Sequence, residues 1–157
     1  MDSFLYSAVS DVLVGPDTST QLGHLAAAMG IQRALIVTDP GIIKFGLLEG
    51  AVANLKANNI ELSIYSDVVA DPPESVVMDA VSSAQAFGCD GVIGFGGGSS
   101  MDVAKMLAVL IKGEQQLADI YGVDQISGGR LPLIQVPTTA GTGSEATMVS
   151  IITTGET

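Results

Sequence analysis

Seven residues, Gly94-Phe95-Gly96-Gly97-Gly98-Ser99-Ser100, carry four glycines between two apolar segments. Ahead of them Gly91–Ile93 reads as a very short strand. Behind them Met101–Ile111 is apolar almost all round, the pattern of a helix packed on both sides. A strand, a glycine loop and a helix in that order form a natural anion seat. Without Cβ atoms at Gly96, Gly97 and Gly98, a phosphate can approach the backbone. The helix beyond aims its free N–H groups and positive dipole end at the charge. Ser99 and Ser100 can cap that helix or donate to phosphate oxygens. The plainer alternative is a flexible turn with a serine N-cap. The spacing is not the G-x-G-x-x-G fingerprint, because Ser99 stands three residues after Gly96, and no Gly-Lys-Ser/Thr of an NTPase P-loop occurs.

The rest of the chain alternates short apolar runs with helical periods, which predicts an α/β fold, a Rossmann-like parallel sheet flanked by helices. Arg33–Thr38 reads as a buried strand, preceded by a helix over Thr18–Met29 with Thr18 as N-cap and Gly30 as stop. Lys44–Ala57 places Leu47, Leu48, Ala51 and Leu55 on one helical face, and Ile60–Tyr65 is the next strand. Glu74–Phe87 spaces Val76, Val77, Ala80, Val81, Ala84 and Phe87 as an amphipathic helix closed by Gly88. The gly-rich junction therefore follows the third βα pattern. Leu131–Val136 and Ala146–Thr153 read as further strands, and Lys112–Arg130 is the most loop-like stretch. At Thr153–Thr157 a strand has just reached a hairpin-like turn, leaving an open sheet edge. The expectation is that these residues are a piece of a longer protein.

Composition narrows the function classes. With 157 residues the chain can bury a real core, and 47% apolar against 15% charged residues excludes a disordered tail. Only Lys44, Lys56, Lys105, Lys112, Arg33 and Arg130 offset the acidic residues, for a net charge of −11. Phosphate backbones and anionic membrane surfaces would repel such a chain, so neither nucleic acid nor membrane is an expected partner. No apolar run is long enough to span a bilayer, and the one cysteine, Cys89, fits a reducing compartment; the expected location is the cytoplasm.

Two more stretches carry chemistry. Pro137–Ser144 interleaves Thr138, Thr139, Thr142 and Ser144 with Gly141 and Gly143, an uncharged set of donors suited to a ribose or pyrophosphate rather than a metal. A Thr-rich connection is the equally simple alternative. Thr38-Asp39-Pro40-Gly41 follows the first clear strand, where open α/β sheets bind ligands. An acidic side chain there can accept hydrogen bonds from a ribose diol and repel a 2′-phosphate. Read alone, it is an Asp-Pro-Gly turn. His24 reads as a surface or boundary residue, Cys89 as structural, and Asp102 with Lys105 as a local ion pair.

Asp39 after a strand, GGGSSMDVAK at Gly96–Lys105 and PTTAGTGSEAT at Pro137–Thr147 together resemble the iron-containing (group III) alcohol dehydrogenase family, with similarity running from about Gly15 to the last residue. Dehydroquinate synthases and glycerol dehydrogenases share the architecture, but the TTAGTGSE run is similar to the alcohol dehydrogenase branch. The resemblance implies that residues 1–157 are the family's N-terminal NAD-binding domain. The family's C-terminal helical domain, which holds an iron or zinc ion through an Asp and several His, lies outside this sequence. It implies that Asp39 faces the adenosine ribose and selects NAD, and that Gly97, Gly98 and Ser99 form the pyrophosphate loop. Thr138, Thr139, Ala140, Gly141 and Thr142 would wrap the nucleotide, with Val149 near the nicotinamide side. Asp71 stands in Ala70-Asp71-Pro72-Pro73, where many members carry Pro-Asn-Pro.

The function implied is hydride transfer between NAD and a small alcohol or aldehyde in a homodimeric enzyme, with this portion alone inactive. A non-catalytic module is the other reading. It would bind a nucleotide or sugar phosphate and act through association with a partner chain, as the open sheet edge would allow.

Overall fold

A computed structural model describes Val9 and residues 11–155. Four strands, β1 (Arg33–Val37), β2 (Glu61–Tyr65), β3 (Gly91–Gly96) and β4 (Leu133–Pro137), form one parallel sheet in the order β2-β1-β3-β4. The helices are α1 (Leu22–Ala28), α2 (Pro40–Lys44), α3 (Glu49–Ala57), α4 (Glu74–Phe87) and α5 (Gly98–Lys112). The Rossmann-like fold read from the alternating pattern is thus present.

Alternate residues of the central strands face opposite ways, as a period of two requires. Leu35, Val37 and Val92 pack with Val77, Ala84, Val103 and Leu107 of α4 and α5. Ala34, Ile36, Ile93 and Phe95 pack with Leu22, Ala26, Ala51 and Leu55 of α1 and α3. A sheet buried on both faces explains why β1 and β3 read as continuous apolar runs. Each such Leu, Ile or Val contributes roughly 1.5–3 kcal/mol over its exposed state. Helix α5 buries Ser100–Ala104 and Met106–Val109, in keeping with its apolar circumference.

Helix boundaries differ from the sequence reading for local reasons. The first helix is a 3-10 turn, Thr18–Gln21, running into α1; Asp17 rather than Thr18 takes the N-cap position, and Gly30 follows the end with φ +78°. The expected Lys44–Ala57 helix is two helices, because Gly46 adopts φ +68° between them. Leu47 consequently sits in the turn and is exposed, whereas Leu48, Ala51 and Leu55 are buried. Gly88 ends α4 with φ 69°. Arg33 fastens that end: its guanidinium donates to the carbonyls of Phe87 at 2.6 Å and Gly88 at 3.1 Å and lies over the Phe87 ring. Within Lys112–Arg130, a 3-10 turn at Leu117–Ile120 buries Leu117 and Ile120.

One expected strand is absent. Ala146–Thr153 is irregular and joins no ladder beyond a single bridge from Thr153 to Pro73. Some of its backbone groups go to side chains, the Ile151 amide donating to Asp102 and the Thr147 and Val149 carbonyls accepting from Lys105, and others to loop backbone, the Ala146 and Thr147 amides donating to the Gly143 carbonyl. Met148, Val149 and Ile151 are exposed, so no sheet face is available to reward alternation. The hairpin-like turn expected after it extends to Glu156 and Thr157, which lie outside the described residues.

Candidate functional site: the cleft at the carboxyl ends of the strands

From β1 the chain moves outward to β2, then crosses back to β3 on the other side of β1. The loops leaving β1 and β3 therefore part in opposite directions, and a crevice opens between them, the switch point where open α/β sheets bind ligands. Buried Thr38 ties the two strand ends together, its hydroxyl donating to the Phe95 carbonyl at 2.7 Å.

Asp39 is the first residue on the β1 side. Its Oδ1 accepts from the amides of Gly41 at 2.9 Å and Ile42 at 3.2 Å, so it caps α2, with Pro40 at the first helical position. Its Oδ2 points across the crevice, 3.1 Å from where a Cβ on Gly96 would stand. Gly96 has φ +153°, and a Cβ there would also lie 2.7 Å from Ser100 Oγ, so only glycine fits.

The glycine loop is shorter than the sequence suggested. Strand β3 continues through Gly96, Gly97 is the N-cap, and α5 begins at Gly98. Neither Ser99 nor Ser100 caps the helix; no side chain does. Ser99 lies in the first turn at the cleft and Ser100 is buried beneath it. The first amides of a fifteen-residue helix thus face the cleft without a capping side chain.

A cleft of about 480 Å³ is lined by Asp39, Pro40, Val68, Val69, Ala70, Gly97, Gly98, Ser99 and Ser100. The apolar wall of Val68, Val69 and Ala70 was not singled out in the sequence; it lies in the irregular stretch after β2, whose only signal is two consecutive valines. No residue of the Pro137–Ser144 loop lines the cleft, but the loop lies beside the glycines at its floor. Thr138 N donates to the Gly96 carbonyl at 2.9 Å, Thr139 lies 3.6 Å from a Cβ position on Gly97, and Thr142 Cγ2 lies 3.1 Å from one on Gly98. Ala140 and Gly141 form the exposed tip of that loop. Asp71 is next to the lining residue Ala70, exposed, and left-handed at φ 47°. Val149 is not among the lining residues; its side chain is exposed and its carbonyl accepts from Lys105.

A comparable depression of about 540 Å³ opens at the other end of the strands, among Gly30–Arg33 and Asn58–Glu61. It has no helix N-terminus facing it, and its Arg33 is already paired with Glu61 at 2.5 Å. The switch-point cleft is the better anion seat on chemistry.

Of the remaining candidates, His24 is exposed on α1, and Cys89 is buried. Burial first, and Asp90 beside it second, push the Cys89 thiol up. Asp102 and Lys105 do pair, at 2.9 Å, and the same carboxylate also accepts from the Ser144 hydroxyl and the Ile151 amide. Among the described residues no three His, Cys, Asp or Glu side chains gather as a metal donor set.

The family profile described as "Iron-containing alcohol dehydrogenase" matches residues 10–157. The chain belongs to the iron-containing alcohol dehydrogenase family. Among its relatives, a sulfoacetaldehyde reductase of Bilophila wadsworthia is 33% identical over 150 residues, covering 96% of this chain and 39% of the relative. A 1,3-propanediol oxidoreductase structure superposes with a TM-score of 0.94 at 29% identity, covering 99% of this chain and 41% of that one. The NADH-dependent butanol dehydrogenase A of Thermotoga maritima gives 0.89 at 31% identity, covering 98% and 39%. The chain spans about two-fifths of the length of these relatives, and its sheet and flanking helices match the N-terminal Rossmann-like domain of the family's structures.

Proposed function

We propose that these residues are the NAD-binding half of a metal-assisted alcohol dehydrogenase, a domain spanning residues 1–157 that seats the cofactor at the switch-point cleft. The observation that carries this reading is the meeting of Asp39 with Gly97, Gly98 and Ser99 around one crevice, beside a Gly96 at which a Cβ would crowd Ser100 and Asp39. The uncapped amides at the start of α5 would receive the pyrophosphate, with Ser99 adding a hydroxyl. Asp39 Oδ2, free of the capping duty that Oδ1 performs, would accept from the ribose diol. A 2′-phosphate at that point would meet a carboxylate, which favours NAD over NADP.

Thr138, Thr139, Ala140, Gly141 and Thr142 would close over the dinucleotide from the β4 side, Asp71 would border its adenine end, and Val149 its nicotinamide end. Bound NAD supplies a hydride acceptor, and the protein's part is to hold and orient it. The described residues do not fit the iron or zinc ion that polarises the alcohol in this family, because they assemble no donor set. That ion and most of the pocket for a small alcohol or aldehyde would come from residues outside these 157, in a cytoplasmic homodimer, and these residues alone would not turn over substrate.

Calorimetric titration of the 157-residue chain with NAD and with NADP tests the reading. NAD-selective binding is the expected result; binding of neither, or of NADP more tightly, overturns it.

A further inference from the structure

Gln135 is the only polar residue of β4. Leu133 packs on the α4–α5 side of the sheet and Ile134 and Val136 on the other, so a period of two puts Gln135 beneath α5. There it stands in register with Gly94 of β3. A Cβ on Gly94 would lie 2.0 Å from Gln135 Oε1 and 2.8 Å from the Ala104 Cβ, so the glycine and the alanine together make room for the amide. Gln135 Nε2 donates to the carbonyl of buried Met101, the fourth residue of α5, at 2.9 Å. Its Oε1 is buried and has no hydrogen-bond partner among the described residues.

An orphaned buried acceptor costs stability, and a methionine of similar length would fill the same slot without one. The Met101 carbonyl does not require the bond either, since inside a helix its ordinary partner is the amide four residues on. What the side chain adds is a fixed link from β4 to the first turn of α5. That turn carries Gly98 and Ser99 into the cleft. Strand β4 runs straight into the Thr138–Thr142 loop, whose Thr138 amide donates to the Gly96 carbonyl at 2.9 Å. The β3–β4 ladder sets the two strands against each other but not the helix above them. We propose that Gln135 is a positioning residue for the nucleotide: its amide sets the start of α5 against β4, and with it the separation of the phosphate-facing amides from the Thr138–Thr142 loop. This rests on the nucleotide reading above, and it gives a use to a buried polar group that packing alone would exchange for an apolar one.

Gln135→Met tests it, because it keeps the bulk and removes both the donor and the orphaned acceptor. In the 157-residue chain the thermal midpoint is expected to hold or rise. The dissociation constant for NAD, measured well below that midpoint, is expected to rise about fivefold. Stability and affinity should thus part company, which loss of a packing contact would not produce. In the unliganded chain the NMR amide signals of Gly98 and Ser99 are expected to move, while hydrogen exchange at Leu107–Val109 in the interior of α5 stays as slow as before. Gln135→Leu should give the same pattern and carries the test if the Met variant does not fold. An unchanged NAD constant, whatever the midpoint does, overturns the proposal. So does a weaker affinity accompanied by faster exchange through α5, since the helix would then be loosened as a whole rather than displaced at its start. Failure of the nucleotide reading itself would show in the unaltered chain, as no NAD binding at all, and the Gly98 and Ser99 signals would then decide alone whether Gln135 sets the start of the helix.

Discussion

The Thr38 hydroxyl donates to the Phe95 carbonyl at 2.7 Å, joining the carboxyl ends of β1 and β3 at the point where their loops diverge. The bond is fully buried, and it fixes the separation between Asp39 on one side of the cleft and Gly97 on the other. Thr38→Val keeps the shape and removes the donor, leaving a buried carbonyl short of a partner. Urea unfolding is expected to show a loss of about 1–3 kcal/mol, and no loss would mean the strand ends are held by their ladder alone.

Asp39→Gly separates the two jobs of that carboxylate. A glycine N-cap costs α2 only about a few tenths of a kcal/mol, so the fold should survive. The ratio of NADP to NAD affinity is expected to rise about tenfold, a change of about 1.4 kcal/mol. An unchanged ratio would remove Asp39 from cofactor choice.

At Gly98 the expected effect is graded by side-chain size. A Cβ there already stands 3.1 Å from Thr142 Cγ2, so Gly98→Ala should weaken NAD modestly, and Gly98→Val, with its branches, by tenfold or more. Circular dichroism should show α5 retained in both. Equal affinity across the series would place the pyrophosphate elsewhere.

Alkaline stability follows from two raised pKa values. Burial raises Cys89 above 9.0, with Asp90 adding to it, and burial raises Tyr65 above 10.0, with Asp79 and Asp67 adding. The neutral forms are favoured by the fold, so their stabilisation is fully present below those ordinary values. As pH rises past them the unfolded chain loses the protons first, and stability falls until the folded values are reached. Denaturant midpoints should therefore drop from about pH 9 upward, and Cys89→Ala should flatten the first part of the fall. Below pH 8 the thiol should resist alkylation in the folded chain.

Much of this architecture is legible in the residues. Runs such as Arg33–Thr38 are short, apolar and β-branched, and glycines at positions 30 and 88 mark helix ends through a backbone conformation other residues avoid. Asp39 and the glycine loop were legible as a site because both follow strands, and strand ends converge wherever a parallel sheet switches direction. What could not be read was long-range polar pairing. Ala146–Thr153 has a strand-like composition, yet its Ile151 amide goes to Asp102 and its Thr147 and Val149 carbonyls to Lys105, more than forty residues away in sequence. The break at Gly46 and the wall of Val68 and Val69 likewise depend on what packs nearby rather than on local pattern.

Amide mapping by NMR, titrating the 157-residue chain with NAD, tests the placement of the cofactor most directly. The expected result is a set of shifts centred on Gly97–Ser100, Asp39–Gly41 and Thr138–Thr142, saturating together and far weaker with NADP. Shifts centred instead on Gly30–Arg33 and Asn58–Glu61, at the opposite end of the strands, would contradict it.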